Sequence, residues 1–285
     1  MGFSEGAHKI GSRGIKYPLG LFYSAVLKLP FLYKNHEMFK TKKEEAIMFK
    51  KKPLSFLLGF FIIAVWLFMS QQLFAQSQQT AVPVEQEPRH RIVFQNKYVR
   101  IYDCLIPPGD VTLFHTHSFD NVATTVSGGK LRNEIPGEAP TERVAPTGNI
   151  GFAKGTNAPY THRIENIGTT PLRFVVAEVH ASSATPGTPA ALDAVPGHKL
   201  VVENDRVKVY RVSIDPKQAT SIRSRTLPWL RISISQSMIS IHEPGKTPET
   251  LETKPGDYRW HEVGTADSLE NVGSTTYEAT EIEWK

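Results

Sequence analysis

An internal repeat is the feature that most limits what this chain can fold into. His90–Tyr102 (HRIVFQNKYVRIY) lines up with His198–Tyr210 (HKLVVENDRVKVY), a shift of 108 positions. Farther along, Glu165–Gly168 (ENIG) lines up with Glu270–Gly273 (ENVG), a shift of 105. One short deletion in the second copy reconciles the two shifts. Two copies of a unit of roughly 100 residues imply two similar domains. Between the copies, Ala181–Pro196 (ASSATPGTPAALDAVP) is rich in Pro, Ser, Thr and Ala without periodicity, which marks a linker. The layout expected is therefore a leader over 1–77, a first domain over 78–180, a linker over 181–197 and a second domain over 198–285.

Within each copy the pattern is that of strands. Val99, Ile101 and Asp103 alternate with Arg100, Tyr102 and Cys104, while 172–179 (LRFVVAEV) and 278–284 are β-branched or aromatic runs bounded by Gly, Thr and Pro. Many short strands separated by turn residues indicate an all-β sandwich or barrel. Cys104 is the single cysteine, so no disulfide forms within the chain, and its apolar surroundings mark it as a small core residue.

The formal charge of +5 is misleading until it is located. Residues 1–77 carry 11 Lys and Arg against 4 Asp and Glu, whereas residues 78–285 carry 22 against 24. The globular part has no excess of positive charge to attract phosphate backbones, which excludes a nucleic-acid partner. The basic excess belongs to a leader in which three lysines, Lys50–Lys52, precede an apolar run from Leu54 to Met69. Residues 48–77 have the layout of a secretory signal, with cleavage after Ser77 or Ala75. An uncleaved leader of this kind is a membrane anchor instead, although the run is slightly short for a full span. A signal beginning so late makes Met48 or Met38 a candidate true start. The expected location is therefore secreted or periplasmic, with the membrane engaged only through an uncleaved leader.

The chemistry concentrates in the first copy. His115 and His117, at i and i+2 on a strand, point to one face. In a barrel interior they would converge on a common point at the distance a transition metal requires. Asn121 follows at another even spacing, and His162 is placed to supply a third imidazole from a neighbouring strand. These segments resemble the two motifs of the cupin superfamily. Gly109, His115, His117, Asn121 and Gly128 keep every spacing of the first motif, with Asn121 where the family has glutamate. Gly151, Asn157, Pro159, His162 and Asn166 follow the second, with Asn157 and Pro159 departing from its turn residues. The resemblance implies a jelly-roll barrel, repeated here as a bicupin. It also implies one divalent metal (Fe, Mn, Ni, Zn or Cu) held by His115, His117, His162 and, weakly, Asn121.

The second copy lacks this set. The corresponding residues are Arg223, Arg225, Trp229 and Asp267, and arginine does not ligate metals. Arg223 or Arg225 is expected to pair with Asp267 across the former site, and His261, off the motif, is expected to be structural. Three functions remain open: a metal-dependent oxygenase or isomerase acting on a small oxygenated compound, a non-catalytic small-molecule or sugar-binding module, and a metal-stabilised structural protein. By proximity in sequence, Arg100, Tyr102, Lys130 and Arg132 are candidates for the pocket wall, and Asp103, Asp120 and Glu165 for a general base. A homodimer is compatible with this reading.

Overall fold

The computed structural model describes Val65 and residues 80–182 and 191–285. The leader, its signal segment and residues 183–190 of the linker lie outside the described residues. Among those described, no helix is long and apolar enough to cross a membrane.

The first copy comprises β1 (Val82–Pro83), β2 (His90–Gln95), β3 (Val99–Ile106), β4 (His115–His117), β5 (Asn121–Ser127), β6 (Gly129–Glu134), β7 (Thr141–Ala145), β8 (Ile150–Ala153), β9 (Tyr160–Asn166) and β10 (Leu172–Val179). The second comprises β11 (His198–Glu203), β12 (Val207–Ile214), β13 (Arg223–Arg225), β14 (Trp229–Ser233), β15 (Ser237–His242), β16 (Glu249–Thr253), β17 (Tyr258–His261), β18 (Thr265–Asn271) and β19 (Tyr277–Trp284). The fold is all-β. In the first copy one sheet runs β1-β4-β9-β6-β7 and the other β2-β3-β10-β5-β8. The second copy repeats this order as β13-β18-β15-β16 and β11-β12-β19-β14-β17, without a counterpart of β1. Each copy is thus a jelly-roll barrel of two facing sheets. A short 3-10 turn leads each one, Val84–Gln86 and Leu192–Ala194, with Val84 and Leu192 buried.

The residues shared by both copies make turns. Asn96 Oδ1 accepts the backbone N–H groups of Tyr98 and Val99, and Asn204 Oδ1 accepts those of Arg206 and Val207. Both asparagines shape the hairpin after the first long strand. Asn166 is fully buried, donates to the carbonyls of Ile106 and Thr170, and accepts from the N–H of Gly168. Asn271 does the same with Ile214, Thr275 and Gly273.

Both faces of β3 are buried over its first half, at Val99, Ile101 and Tyr102. Tyr102, Cys104 and Ile106 face the interior of the first barrel, while Val99 and Ile101 face outward. The outward face is covered by the second barrel, whose Val207, Val209, Leu230, Ile282 and Trp284 join the same apolar cluster. The barrels are therefore packed against each other within one chain. Polar contacts stitch the junction, among them Thr124 Oγ1 to Thr280 Oγ1 at 3.1 Å and Tyr258 Oη to the Val93 carbonyl at 2.8 Å.

Candidate metal centre

Strand β4 is only three residues long, and its alternation sorts them. Thr116 turns outward and bonds Thr161 Oγ1 at 2.8 Å, leaving His115 and His117 buried. β4 pairs antiparallel with β9 so that His115 lies opposite His162 and His117 opposite Tyr160. Directly opposed side chains share a face. The ring of His115 is 4.6 Å from that of His162 and 5.1 Å from that of His117, and Tyr160 stacks on His117 at 4.9 Å.

A fourth histidine joins them from the facing sheet. His90, at the start of β2, places its ring 4.4 Å from His115 and 5.8 Å from His117. The tightest group of ligand-capable nitrogens is His90, His115 and His117, all within 4.8 Å of one another, with His162 flanking it. The sequence reading used His90 only to mark the repeat. The available signal was His198 at the same place in the second copy, but nothing local connects His90 to a motif starting 19 residues later at Gly109.

The hydrogen bonds define which nitrogens are offered. His115 Nδ1 bonds the Leu113 carbonyl at 2.9 Å, His162 Nδ1 bonds Asn133 Oδ1 at 2.9 Å, and His90 Nδ1 bonds Glu87 Oε2 at 2.7 Å. In each case Nδ1 donates, and on the neutral rings of His115 and His162 this leaves Nε2 with a lone pair. That is how protein groups fix metal-ligating imidazoles. His115 Nε2 is buried without a partner, and so is His117 Nδ1, 3.9 Å from the equally unpartnered Oε1 of Glu178. Buried polar atoms seldom go unmatched, so orphans converging in one place point to an absent ligand.

Electrostatics agree. Burial, followed by neighbouring histidines, lowers His117 to about 2 and His162 to about 3, and burial with His90 beside it lowers His115 to about 4. These three imidazoles are neutral, as metal ligands must be. Burial raises the carboxyl of Glu87, but hydrogen bonds from His90 and from the N–H groups of Leu113 and Arg89 outweigh it and hold the group below its ordinary value. Glu87 is thus an anion backing His90. The donor set fits one divalent transition metal.

The histidines share a cavity of about 110 Å³ whose remaining wall is mainly apolar, including Ile106, Leu131, Phe174 and Val176. Asn121 reaches the same cavity, and its Nδ2 donates to Tyr160 Oη at 3.0 Å and to the Phe119 carbonyl at 3.3 Å. Cys104 is buried in the wall, and burial pushes its thiol up. Several expectations drawn from proximity in sequence are corrected. Arg100, Lys130 and Arg132 do not line the cavity, and Tyr102, although it faces the barrel interior beside His90, gives its hydroxyl to Glu178 instead. Nor do the three candidate bases. Asp103 is held by Arg173 and Arg91, Asp120 caps the backbone of Gly155 and Thr156, and Glu165 pairs with Arg132.

The second barrel fills the same place with charge. Register puts Arg223 opposite Asp267 as His115 is opposite His162. Arg223 bonds Asp267 at 3.0 Å, as expected for one of the two arginines. Arg225 instead pairs with Glu281 and Glu283 on β19, since its strand position points it at that facing sheet. Arg231, in the position of Ala123, adds bonds to Glu281 and Asp267. His261 stacks on Trp229 with ring centroids 3.8 Å apart.

Two jelly-roll barrels in tandem, the motif histidines paired across β4 and β9 in one and replaced in the other, are the layout that the cupin resemblance implies. The fold is a tandem pair of jelly-roll barrels. Neither a family model nor a curated protein matches the sequence. Solved structures do align with it. AerE from Microcystis aeruginosa shares 13% identity over 70% of this chain and 98% of its own, with a TM-score of 0.48. Salicylate 1,2-dioxygenase from Pseudoaminobacter salicylatoxidans, in an adduct with gentisate, shares 13% over 75% and 79%, with a TM-score of 0.49. A cupin domain from Bordetella pertussis shares 18% over 36% and 99%, with a TM-score of 0.30.

Proposed function

We propose that the chain is a bicupin whose first barrel binds one divalent transition metal and uses it to act on a small oxygenated compound, as a dioxygenase-like enzyme. The observation that carries this reading is the pair of orphaned nitrogens, His115 Nε2 and His117 Nδ1, within a cluster of four imidazoles of which His115, His117 and His162 are neutral. His115 and His117 would hold the metal, with His90 and His162 supplying the further imidazoles. A bound metal contributes Lewis acidity and, where it is redox-active, one-electron chemistry with oxygen.

The protein's own contribution is orientation and exclusion of water. The cavity is small beside the roughly 300–1,000 Å³ of drug-sized sites, so the substrate is small. Among the described residues lining it, Arg143 is the one arginine or lysine, and it lies on an exposed stretch of β7. An acidic substituent on the substrate would be held there, at the rim, with its remaining body against the apolar wall. Tyr160, stacked on His117, would orient an oxygen near the imidazoles.

A second reading, in which the barrel captures the compound without converting it, is supported by the lack of any Asp or Glu among the described residues lining the cavity, with Glu178 beside His117 and Glu87 on His90 standing behind the imidazoles. We further propose that the protein is exported by residues 48–77, on the strength of their lysine-then-apolar layout.

The test is elemental analysis of the full chain beside a His115→Ala/His117→Ala double variant, followed by oxygen-uptake assays with small hydroxylated acids. About one metal per chain in the wild type and none in the variant is expected. A folded wild-type protein that takes up no divalent metal removes the metal reading. Stoichiometric metal without turnover of any such acid selects the binding reading.

A further inference from the structure

Glu178, near the end of β10, is fully buried behind the histidine centre. Its Oε2 is engaged: the Tyr102 hydroxyl donates to it at 3.1 Å, and His180 Nε2 lies 3.1 Å away. Its Oε1 has no hydrogen-bond partner among the described residues, and neither has His117 Nδ1, 3.9 Å from it. A buried carboxylate oxygen and a buried ring nitrogen left unbonded are each costly. Here the two face each other across a gap about 1 Å longer than a hydrogen bond.

The second copy holds the same pair in closed form. Glu178 stands opposite Arg100 on one side and Asn121 on the other, and Glu283 stands opposite Lys208 and Trp229, the same places in the repeat. Glu283 is therefore the counterpart of Glu178, as Arg225 is of His117. In the second barrel these counterparts are bonded, with Arg225 Nη1 donating to Glu283 Oε1 at 3.0 Å. Each barrel thus sets a buried carboxylate against this position of its short strand, and in the second barrel that carboxylate receives an N–H. The N–H that would meet Glu178 is that of His117 Nδ1.

The two nitrogens of an imidazole diverge, so a ring that turns Nδ1 to Glu178 keeps Nε2 for the histidine cavity, which His117 lines. An acceptor on the outer nitrogen of a ligating histidine fixes its tautomer and orientation and raises its basicity. We propose that Glu178 is the positioning residue of His117, accepting the Nδ1 proton and so committing Nε2 to the metal. This rests on the metal reading of the first barrel. Glu87 plays the same part for His90, whereas His115 and His162 are held by neutral oxygens, the Leu113 carbonyl and Asn133 Oδ1. Negative charge then reaches the centre through two of its imidazoles, from carboxylates that stand behind the rings.

Glu178→Gln keeps the size of the side chain and reverses one polarity. The Tyr102 hydroxyl accepts from Arg100 and must donate to position 178, so the amide oxygen takes the place of Oε2 and the amide N–H groups face His117. A donor there favours the tautomer protonated at Nε2, which has no lone pair for the cavity. Zinc affinity of the full chain, read by competition with a chelating dye, should fall roughly 10–100-fold in Glu178→Gln, while urea unfolding of the metal-free chain stays as in the wild type. Ring-nitrogen NMR of the zinc-loaded wild-type chain should show His117 bound through Nε2 with its proton on Nδ1, a readout that does not depend on the variant folding. Zinc on Nδ1 of His117, or an affinity that Glu178→Gln leaves unchanged, would overturn this role alone. So would a loss of metal-free stability in the variant without a loss of affinity. A wild-type chain that takes up no zinc would overturn the metal reading together with it.

Discussion

At the scale of single residues, the histidine centre shows what spacing can and cannot convey. His115, His117 and His162 were legible because a strand alternation and two family motifs mark them. His90 was not, because it reaches the cavity through the pairing of β2 with β3, a contact that no local pattern encodes. Its role is nonetheless testable through its anchor. Glu87 accepts the Nδ1 proton of His90, and loss of such a partner typically weakens metal affinity roughly 10–100-fold. Glu87→Gln is accordingly expected to lower affinity within that range, read by competition with a chelating dye, while circular dichroism stays unchanged. A second prediction concerns His261 on the opposite barrel. Burial, followed by the nearby Arg231 charge, lowers its pKa from 6.5 to about 3. Above pH 6.5 the ring is neutral in both folded and unfolded chains; below it the unfolded chain takes up a proton that the folded one refuses. Stability attributable to this group therefore falls as pH drops from about 6.5 to about 3, by up to about 1.4 kcal/mol per pH unit. His261→Phe keeps an aromatic ring on Trp229 and should flatten that part of the acid limb in urea unfolding midpoints measured across pH. An unchanged pH profile would remove His261 as a source of the loss.

At the scale of elements, the two copies keep what builds the barrel and diverge in what occupies it. Asn166 and Asn271 stand at the end of equivalent strands, each tying two carbonyls and one N–H in the following turn. The ENIG and ENVG signature is a record of that turn, which explains why it survives while His162, three residues before it, gives way to Asp267. Asn166→Ala would leave buried backbone groups without partners, at about 1–3 kcal/mol for each one that water cannot reach. Urea unfolding should show a loss of this order for Asn166→Ala and a similar one for Asn271→Ala. An asymmetric result, with only the first affected, would mean that Asn166 serves the metal centre rather than the turn. The strand order was less legible than the strands themselves. Alternation identifies a strand and its faces, but the jelly-roll exchange that sets β4 beside β9 depends on contacts far apart in sequence.

At the scale of the molecule, the decisive fact is that neither barrel has a complete surface of its own. An alternating strand such as β3 ordinarily keeps one face for the core and the other for water. Here the second face is also apolar at Val99 and Ile101, and it is buried against the second barrel. The sequence shows those residues but not what covers them, since the partner surface begins more than a hundred positions later. Trp284 is central to this junction. It is fully buried, stacks edge-on with Trp260 at 5.1 Å, and belongs to the cluster contributed by both barrels. Separating the barrels would expose that cluster to water, so unfolding one removes apolar burial from the other. The two are therefore expected to unfold in a single calorimetric transition, with the van't Hoff and calorimetric enthalpies equal. Trp284→Ala should cost about 3–5 kcal/mol, the usual range for deleting a large buried aromatic. It should also split the transition in two if the junction is what couples the barrels. Two resolved transitions in the wild-type protein would show instead that each barrel is stable alone and that the junction only aligns them. One transition that splits on removal of a single side chain would place the coupling in the shared apolar core, because the polar contacts across the junction are left intact by the substitution.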